Sequence, residues 1–148
     1  MIRRRDTRRL VAALVAHTNE LGIDRQVFAD ALGVTRYTIN AWFRHAYLPS
    51  YVHAAAWAEY IGLRLAVVLD GRVFSEGADV PSDFVWLRRR QELSQKEVAA
   101  RANTHRAVIS MRERQKQKHG LATVHDHVTL LGYRLTLLHA RQAEAVSA

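Results

Sequence analysis

Apolar residues recur every three or four positions through much of the chain, a spacing that predicts short amphipathic helices. A first helix carries Leu10, Leu14 and Leu21 on one stripe and ends at Gly22. A later helix is expected from about residue 50 to residue 61, where small apolar residues suit close packing. The most informative pattern lies between these two helices, in residues 24–42.

Residues 24–42 predict two short helices joined by a tight turn. Asp24 can cap the first helix, and Gly33 supplies the backbone freedom that the turn needs. Thr35 can cap the second helix, in which Ile39 and Trp42 lie one turn apart and face inward. The remaining positions of the second helix therefore face outward and are mostly polar. Two helices with this connection make a helix-turn-helix.

A β-branched run, LRLAVVL at residues 63–69, predicts a strand after the helical segment. The dipeptide Asp70-Gly71 that follows favours a tight hairpin turn, and residues 72–74 form the returning strand. Residues 75–82, SEGADVPS, are expected to form a linker. The predicted domains are therefore residues 1–74 and 83–148, separated by that linker.

The second half of the chain repeats the first without gaps when 70 is added to each residue number. The segments EYIGLRLAVV and TLLGYRLTLL occupy equivalent places, so a further strand, the counterpart of residues 63–69, is expected at residues 133–139. This strand can pair with residues 63–69 and the hairpin to give three strands, which is more stable than a lone hairpin. The alternative is that one or both strands pair across a homodimer.

The second copy keeps most of the pattern of the first and departs from it twice. Ser94 and Glu97 have the spacing of a capping box, and a second outward-facing helix is expected at about residues 104–112. Asn103 replaces the turn glycine, and Arg112 replaces the inward Trp42. Packing at the Arg112 position therefore differs between the copies.

Composition and charge narrow the class of protein. The chain has 148 residues, a net charge of +8 and no cysteine, which excludes disulfides, thiolate metal sites and cysteine nucleophiles. Its apolar runs are shorter than the roughly 18 residues that a membrane span needs, so a cytoplasmic protein is expected. The basic balance favours polyanionic partners.

Residues 24–49 resemble the Cro/lambda-repressor (XRE-type) family of DNA-binding proteins. The residues that carry the resemblance are Ala29, Gly33, Val34, Thr35, Arg36, Ile39, Trp42 and Pro49. Together with the repeat and the predicted strands, the resemblance implies a mainly α fold of two tandem helix-turn-helix bundles, each ending in a short β-strand. It also implies double-stranded DNA as the partner, bound by one chain with two unlike reading heads or by a homodimer.

Each copy supplies a set of residues that the resemblance places at DNA. In the first copy they are Arg25, Thr35, Arg36, Tyr37, Thr38, Asn40, Ala41 and Arg44. In the second copy they are Gln95, His105, Arg106, Ala107, Ser110, Met111, Arg114, Lys116 and Lys118. Groove geometry suits Arg36 and Arg106 to guanine and Asn40 to adenine. The alternative is that these side chains form ordinary solvated helix faces.

Other polar clusters have simpler interpretations. The arginine-rich residues 2–9 form either an arm in a minor groove or a solubilising terminus. His119, His125 and His127 lack metal-ligand spacing and are expected to be packing or surface residues, so no metal or cofactor is expected. Nucleophile and paired-carboxylate motifs are absent from the sequence, which argues against an enzyme.

These features predict a sequence-specific transcriptional repressor, with a bacteriophage immunity repressor, from an actinobacteriophage, as the narrower hypothesis. Two alternatives stay open. One is an antitoxin that binds DNA and also neutralises a toxin. The other is that the second copy is a degenerate protein-interaction module that does not bind DNA.

Overall fold

The computed structural model describes residues 4–115 and 118–140, which contain eight α-helices and three β-strands. The helices are α1 (Arg4–Glu20), α2 (Arg25–Leu32), α3 (Arg36–Phe43), α4 (Tyr51–Tyr60), α5 (Phe84–Arg90), α6 (Gln95–Arg101), α7 (Arg106–Arg114) and α8 (Leu121–Leu130). The strands are β1 (Leu63–Leu69), β2 (Arg72–Glu76) and β3 (Arg134–His139). The prediction of a mainly helical fold with short strands is confirmed. Within the described ranges, every helix is too short or too polar to span a bilayer.

The caps and turns expected around α2 and α3 are present. The Asp24 carboxylate accepts hydrogen bonds from the backbone N–H groups of Gln26 and Val27, at 2.9 and 3.1 Å. Gly33 adopts φ 69°, the left-handed conformation that ends α2. The Thr35 hydroxyl accepts from the N–H of Thr38 at 3.1 Å and begins α3. The predicted helix, turn and helix are confirmed at these positions.

The 70-residue repeat is visible in the backbone. Glu92 and Asn103 have φ of 56° and 51°, the same left-handed conformation as the glycines 70 residues earlier. The turn bond from the Val34 N–H to the Ala29 carbonyl, 3.0 Å, recurs 70 residues later from Thr104 to Ala99, also 3.0 Å. We call residues 14–69 the N-terminal unit and residues 84–139 the C-terminal unit. The capping box at Ser94 and Glu97 is confirmed.

The strands form one antiparallel sheet in the order β2-β1-β3. Asp70 and Gly71 both have positive φ, as a tight hairpin turn requires, and the hairpin is confirmed. β1 pairs with β3 of the same chain, so the expected three-stranded sheet forms within one molecule. β3 begins at Arg134, one residue later than predicted.

The predicted linker at residues 75–82 is wrong. Ser75 belongs to β2 and donates to the Asp83 carboxylate at 2.7 Å. A 3₁₀ helix, Gly77–Asp83, follows and buries Val80 and Pro81 completely or nearly so. Local composition resembles a linker, but burial against the rest of the molecule decides the conformation.

The expected N-terminal arm is also wrong for residues 4–9, which form the first turns of α1. Thr7 and Val11 are buried there, and the Thr7 hydroxyl lies 3.0 Å from Nδ1 of His125 on α8. Packing against α8 therefore extends the helix toward the terminus. The buried stripe of α1 consists of Thr7, Val11, Leu14 and Thr18, whereas Leu21 is exposed.

The two units share one hydrophobic core among the described residues. In the N-terminal unit it contains Phe28, Trp42 and Trp57, and it continues through Val98 and Ile109 of the C-terminal unit. The prediction that Trp42 is a core residue is confirmed. Because the core is continuous and the segment between the units is packed, each unit is held against the other.

Candidate nucleic-acid interface

One narrow stripe of α3 faces solvent. Arg36, Tyr37 and Arg44 are exposed, and Asn40 is half-buried between them. At 100° per residue these four positions span about a quarter of the helix circumference. Tyr37 is 70% exposed, which is unusual for so large a ring. The stripe presents hydrogen-bond donors and no carboxylate, since α3 contains neither aspartate nor glutamate.

The equivalent stripe of α7 is also exposed. Arg106, Ala107, Met111 and Arg114 face solvent, and Ser110 is half-buried. His105, at the N-cap of α7, is exposed but makes no capping hydrogen bond through its side chain. The helix begins at Arg106 and ends at Arg114, two residues later than predicted at both ends. Its outward face is less polar than that of α3.

Ala41 is completely buried, so the expectation that it contacts DNA is wrong. The chain folds back after α3, and the Ala46 N–H donates to the Ala41 carbonyl at 2.9 Å. Met111, the counterpart of Ala41 in the other unit, is 46% exposed. Thr35 and Lys118 are exposed and Thr38 is half-buried, while Lys116 lies outside the described residues.

Arg25 lies against the outward face of α3. Its NH1 group donates to Oδ1 of Asn40 at 2.7 Å, and its guanidinium lies 4.6 Å from the centre of the Phe43 ring. The contact with Phe43 positions the Arg25 guanidinium, which in turn holds the Asn40 side chain in one orientation. The amide N–H₂ of Asn40 can then donate while its oxygen keeps one further lone pair for a second donor.

Gln95, the counterpart of Arg25, positions a residue of α7 in a different way. Its amide oxygen accepts from Nε of Arg106 at 3.1 Å, and its amide nitrogen donates to Glu113 at 2.7 Å. This leaves the two terminal nitrogens of Arg106 for a ligand. Arg25 and Gln95, which the resemblance assigns to phosphate, therefore also orient their neighbours on the outward faces.

A buried ion pair supports Gln95 from below. Arg88 donates to both carboxylate oxygens of Glu113, at 2.7 and 3.2 Å, and to the Leu93 carbonyl at 2.9 Å. Burial raises the pKa of the Glu113 carboxyl, but hydrogen bonds from Arg88 and Gln95 outweigh it and hold the pKa below its usual value. The carboxylate is therefore ionised, and a chain of polar contacts runs from the core to Arg106.

Sequence reasoning missed this pair. The counterparts of Arg88 and Glu113 in the N-terminal unit are Thr18 and Phe43, so the repeat replaces two uncharged residues with opposite charges. That paired replacement was the available signal. The Trp57 N–H donates to the Thr18 hydroxyl at 2.8 Å and fills the equivalent space in the first unit.

Basic side chains also gather beside the loop that follows α3. Arg4 and Arg8 of α1 line a cleft of about 280 Å³ together with His45, residues 46–49 and residues 120–122. The four arginines of residues 4–9 are exposed, and Arg5 and Arg9 lie next to His45. The cleft lies between the two units, on the side where α3 ends.

His119, His125 and His127 of the C-terminal unit are buried. Among the described residues, no group of three or more histidine or acidic side chains is arranged to hold a metal ion. Burial lowers the pKa of all three, so that the neutral forms are favoured. His125 is tied to Thr7 of α1 and therefore has a packing role.

None of the protein-family models, curated proteins or solved structures compared with this chain matches it.

Proposed function

We propose that this protein binds double-stranded DNA with sequence preference, using α3 and α7 as the recognition helices of two helix-turn-helix units. The observation that carries the proposal is the charge of the two outward stripes. Each presents arginines at both ends, Arg36 and Arg44 or Arg106 and Arg114, and the only carboxylate in either helix is buried and paired. A helix face of this kind suits the acceptor-rich major groove and its flanking phosphates.

Each unit contributes its own reading residues. Arg36 and Asn40 offer the side chains that pair with guanine and adenine, and Arg106 offers a guanidinium oriented by Gln95. The arginines around the cleft add phosphate contacts between the units. A bound protein of this size would exclude other proteins from the site, so we propose repression of transcription in a bacterial cytoplasm, of the bacteriophage immunity type.

The base-reading role is tested with Arg36→Ala and Arg106→Ala. Each substitution is expected to weaken binding to the preferred duplex by about 1–3 kcal/mol and to relax base preference at different positions. Fluorescence anisotropy with the duplex selected from a random pool measures both effects. Arg72→Ala, which removes an exposed arginine at the hairpin, is the matched control and should bind as the wild type does.

An unchanged affinity for Arg106→Ala would show that only the N-terminal unit reads bases. An unchanged affinity for both variants would contradict base reading by α3 and α7 altogether. Purification of the chain with a bound protein that is toxic to the cell on its own would favour the antitoxin alternative.

The arginine cleft gives a separate prediction. The double variant Arg4→Ala/Arg8→Ala is expected to bind more weakly at low salt but to keep the same base preference, because phosphate contacts carry no sequence information. The slope of log affinity against log salt concentration should become shallower by about 1 for each phosphate that the variant no longer binds. A slope equal to that of the wild type would contradict a phosphate role for the cleft.

A further inference from the structure

Two antiparallel contacts join the units, and each pairs a residue with its own counterpart in the repeat. In the sheet, Ala66 of β1 lies opposite Thr136 of β3, 70 residues later. In an isolated bridge at the other end of α4, Ser50 lies opposite Gly120, again 70 residues later. The residues on either side of the sheet pair follow the same symmetry, with Leu65 opposite Leu137 and Val67 opposite Leu135.

The hydrogen bonds of the bridge have the same symmetry. The Tyr51 N–H donates to the His119 carbonyl at 2.9 Å, and the Leu121 N–H donates to the Pro49 carbonyl at 3.2 Å. Exchanging each residue for its counterpart converts one bond into the other. Two contacts that are each self-complementary define an approximate two-fold axis that passes between the units, as at an interface between identical subunits.

The axis places the two recognition helices at the same level along its length. α4 and α8 each run from the bridge to the sheet, a length of about 15 Å for ten residues. α3 ends a short loop before the bridge, at residues 44–49, so its C-terminal end lies on the bridge side. Rotation about an axis preserves height along it, and Arg36 and Arg106, as counterparts, therefore lie at the same level.

The relation between the units is fixed. The segment that connects them consists of the hairpin turn, β2 and a packed 3₁₀ helix, and the Tyr51 hydroxyl of α4 donates to the Gly77 carbonyl in that helix at 2.6 Å. One continuous core underlies both units. The chain therefore presents two heads in a single orientation.

We infer that one chain binds one DNA site composed of two inverted, unequal half-sites centred on this axis. The inference rests on the proposed function. Duplex DNA has local two-fold axes perpendicular to its length, so two heads related by a two-fold axis meet the two strands in opposite directions when the two axes coincide. The half-sites are unequal because Asn40 corresponds to Ser110 and Arg25 to Gln95. A single chain thus does what a symmetric dimer does, but it binds in one defined direction.

The test begins with selection of bound duplexes from a random-sequence pool by the full chain. The selected word is expected to show inverted halves that differ at a few positions. Three duplexes then separate the arrangements: the selected site, the same site with one half reversed to make a direct repeat, and the site with five base pairs inserted at its centre. Reversal and insertion are each expected to weaken binding by roughly 100-fold or more, because only one head can then reach its half-site.

The outcomes distinguish this inference from the proposed function. Equal binding to the direct repeat, or two chains per selected duplex by native mass spectrometry, would overturn the inference and leave DNA binding intact. A chain that retains no duplex at low ionic strength would overturn both. Arg36→Ala and Arg106→Ala supply an internal check, since one should relax base preference in one half of the site and the other in the other half.

Discussion

Arg88→Ala is expected to lower the free energy of unfolding by about 3–5 kcal/mol, because it leaves the buried carboxylate of Glu113 without its charged partner. The pair is bidentate, and both residues are less than a tenth exposed. Urea unfolding followed by far-ultraviolet circular dichroism measures the loss. Arg89→Ala is the matched control, since Arg89 is the next residue on α5 and is exposed, and it should change stability by less than about 0.5 kcal/mol.

The repeat supplies a second variant that separates charge from packing. Arg88→Thr combined with Glu113→Phe introduces the residue types that the N-terminal unit has at Thr18 and Phe43. Removing both charges leaves no unpaired buried ion, so the double variant should be more stable than Arg88→Ala. If Arg88→Ala is no less stable than Arg89→Ala, the ion pair does not stabilise the fold. Binding of DNA by the same variants would show whether Gln95 still orients Arg106 once Glu113 is without its partner.

Elements with strong local signals could be predicted from the sequence. Gly33, Thr35 and the Asp70-Gly71 dipeptide each determine a backbone conformation through their own chemistry, and the structure has a cap or turn at each. The repeat carried the Gly33 turn into the second half, where Asn103, a residue type that tolerates the left-handed conformation, replaces the glycine. Glu92 adopts the conformation of its counterpart Gly22, which its residue type alone would not predict. Pairing of β1 with β3 followed from the same repeat.

The errors share a physical cause, which is that contacts distant in sequence decided the outcome. Ala41 is completely buried at an outward position of α3, and Val80 is buried in a 3₁₀ helix that packs against α4 and β1. Arg88 and Glu113 lie on different helices, so no local periodicity indicates their pairing. The outward positions of the candidate site follow from helix spacing, whereas the buried contacts beneath them do not.

The two units have similar backbone conformations but different side chains in their interiors. Trp42 and Trp57 stack in the N-terminal unit, with ring centres 5.8 Å apart, where the C-terminal unit has Arg112 and His127. Arg112 keeps its guanidinium 3.8 Å from the Asp126 carboxylate. Because His127 can bind a proton, the stability of the C-terminal unit depends on pH at this position. Its counterpart Trp57 is not titratable, so the aromatic interior of the N-terminal unit has no such dependence there.

His127 is the residue in which this dependence is strongest. Its side chain is completely buried and its ring centre lies 4.3 Å from that of Phe84. Within the part of the chain that the structure describes, neither ring nitrogen has a hydrogen-bond partner. The pKa of His127 is lowered from 6.5 to about 4, chiefly by burial; the positive charge of Arg112 contributes to the lowering and the Glu113 carboxylate opposes it. His119 and Arg88 add smaller contributions in the same direction as Arg112.

We therefore expect stability to fall as the pH is lowered from about 6.5 to about 4. A group whose pKa is depressed in the folded state binds its proton more readily in the unfolded chain, so acid favours unfolding. The neutral histidine's contribution is complete above its unfolded pKa, and lowering the pH from about 7.5 to about 4.5 should remove about 2–3 kcal/mol through His127. Urea unfolding at intermediate pH values measures how the free energy of unfolding depends on pH.

His127→Leu should remove most of this pH dependence, with a remainder from His119 and His125, whose pKa values are also lowered by burial. His139→Gln, at an exposed site, should keep the full pH dependence of the wild type. The same pH dependence in His127→Leu would contradict the role given to His127.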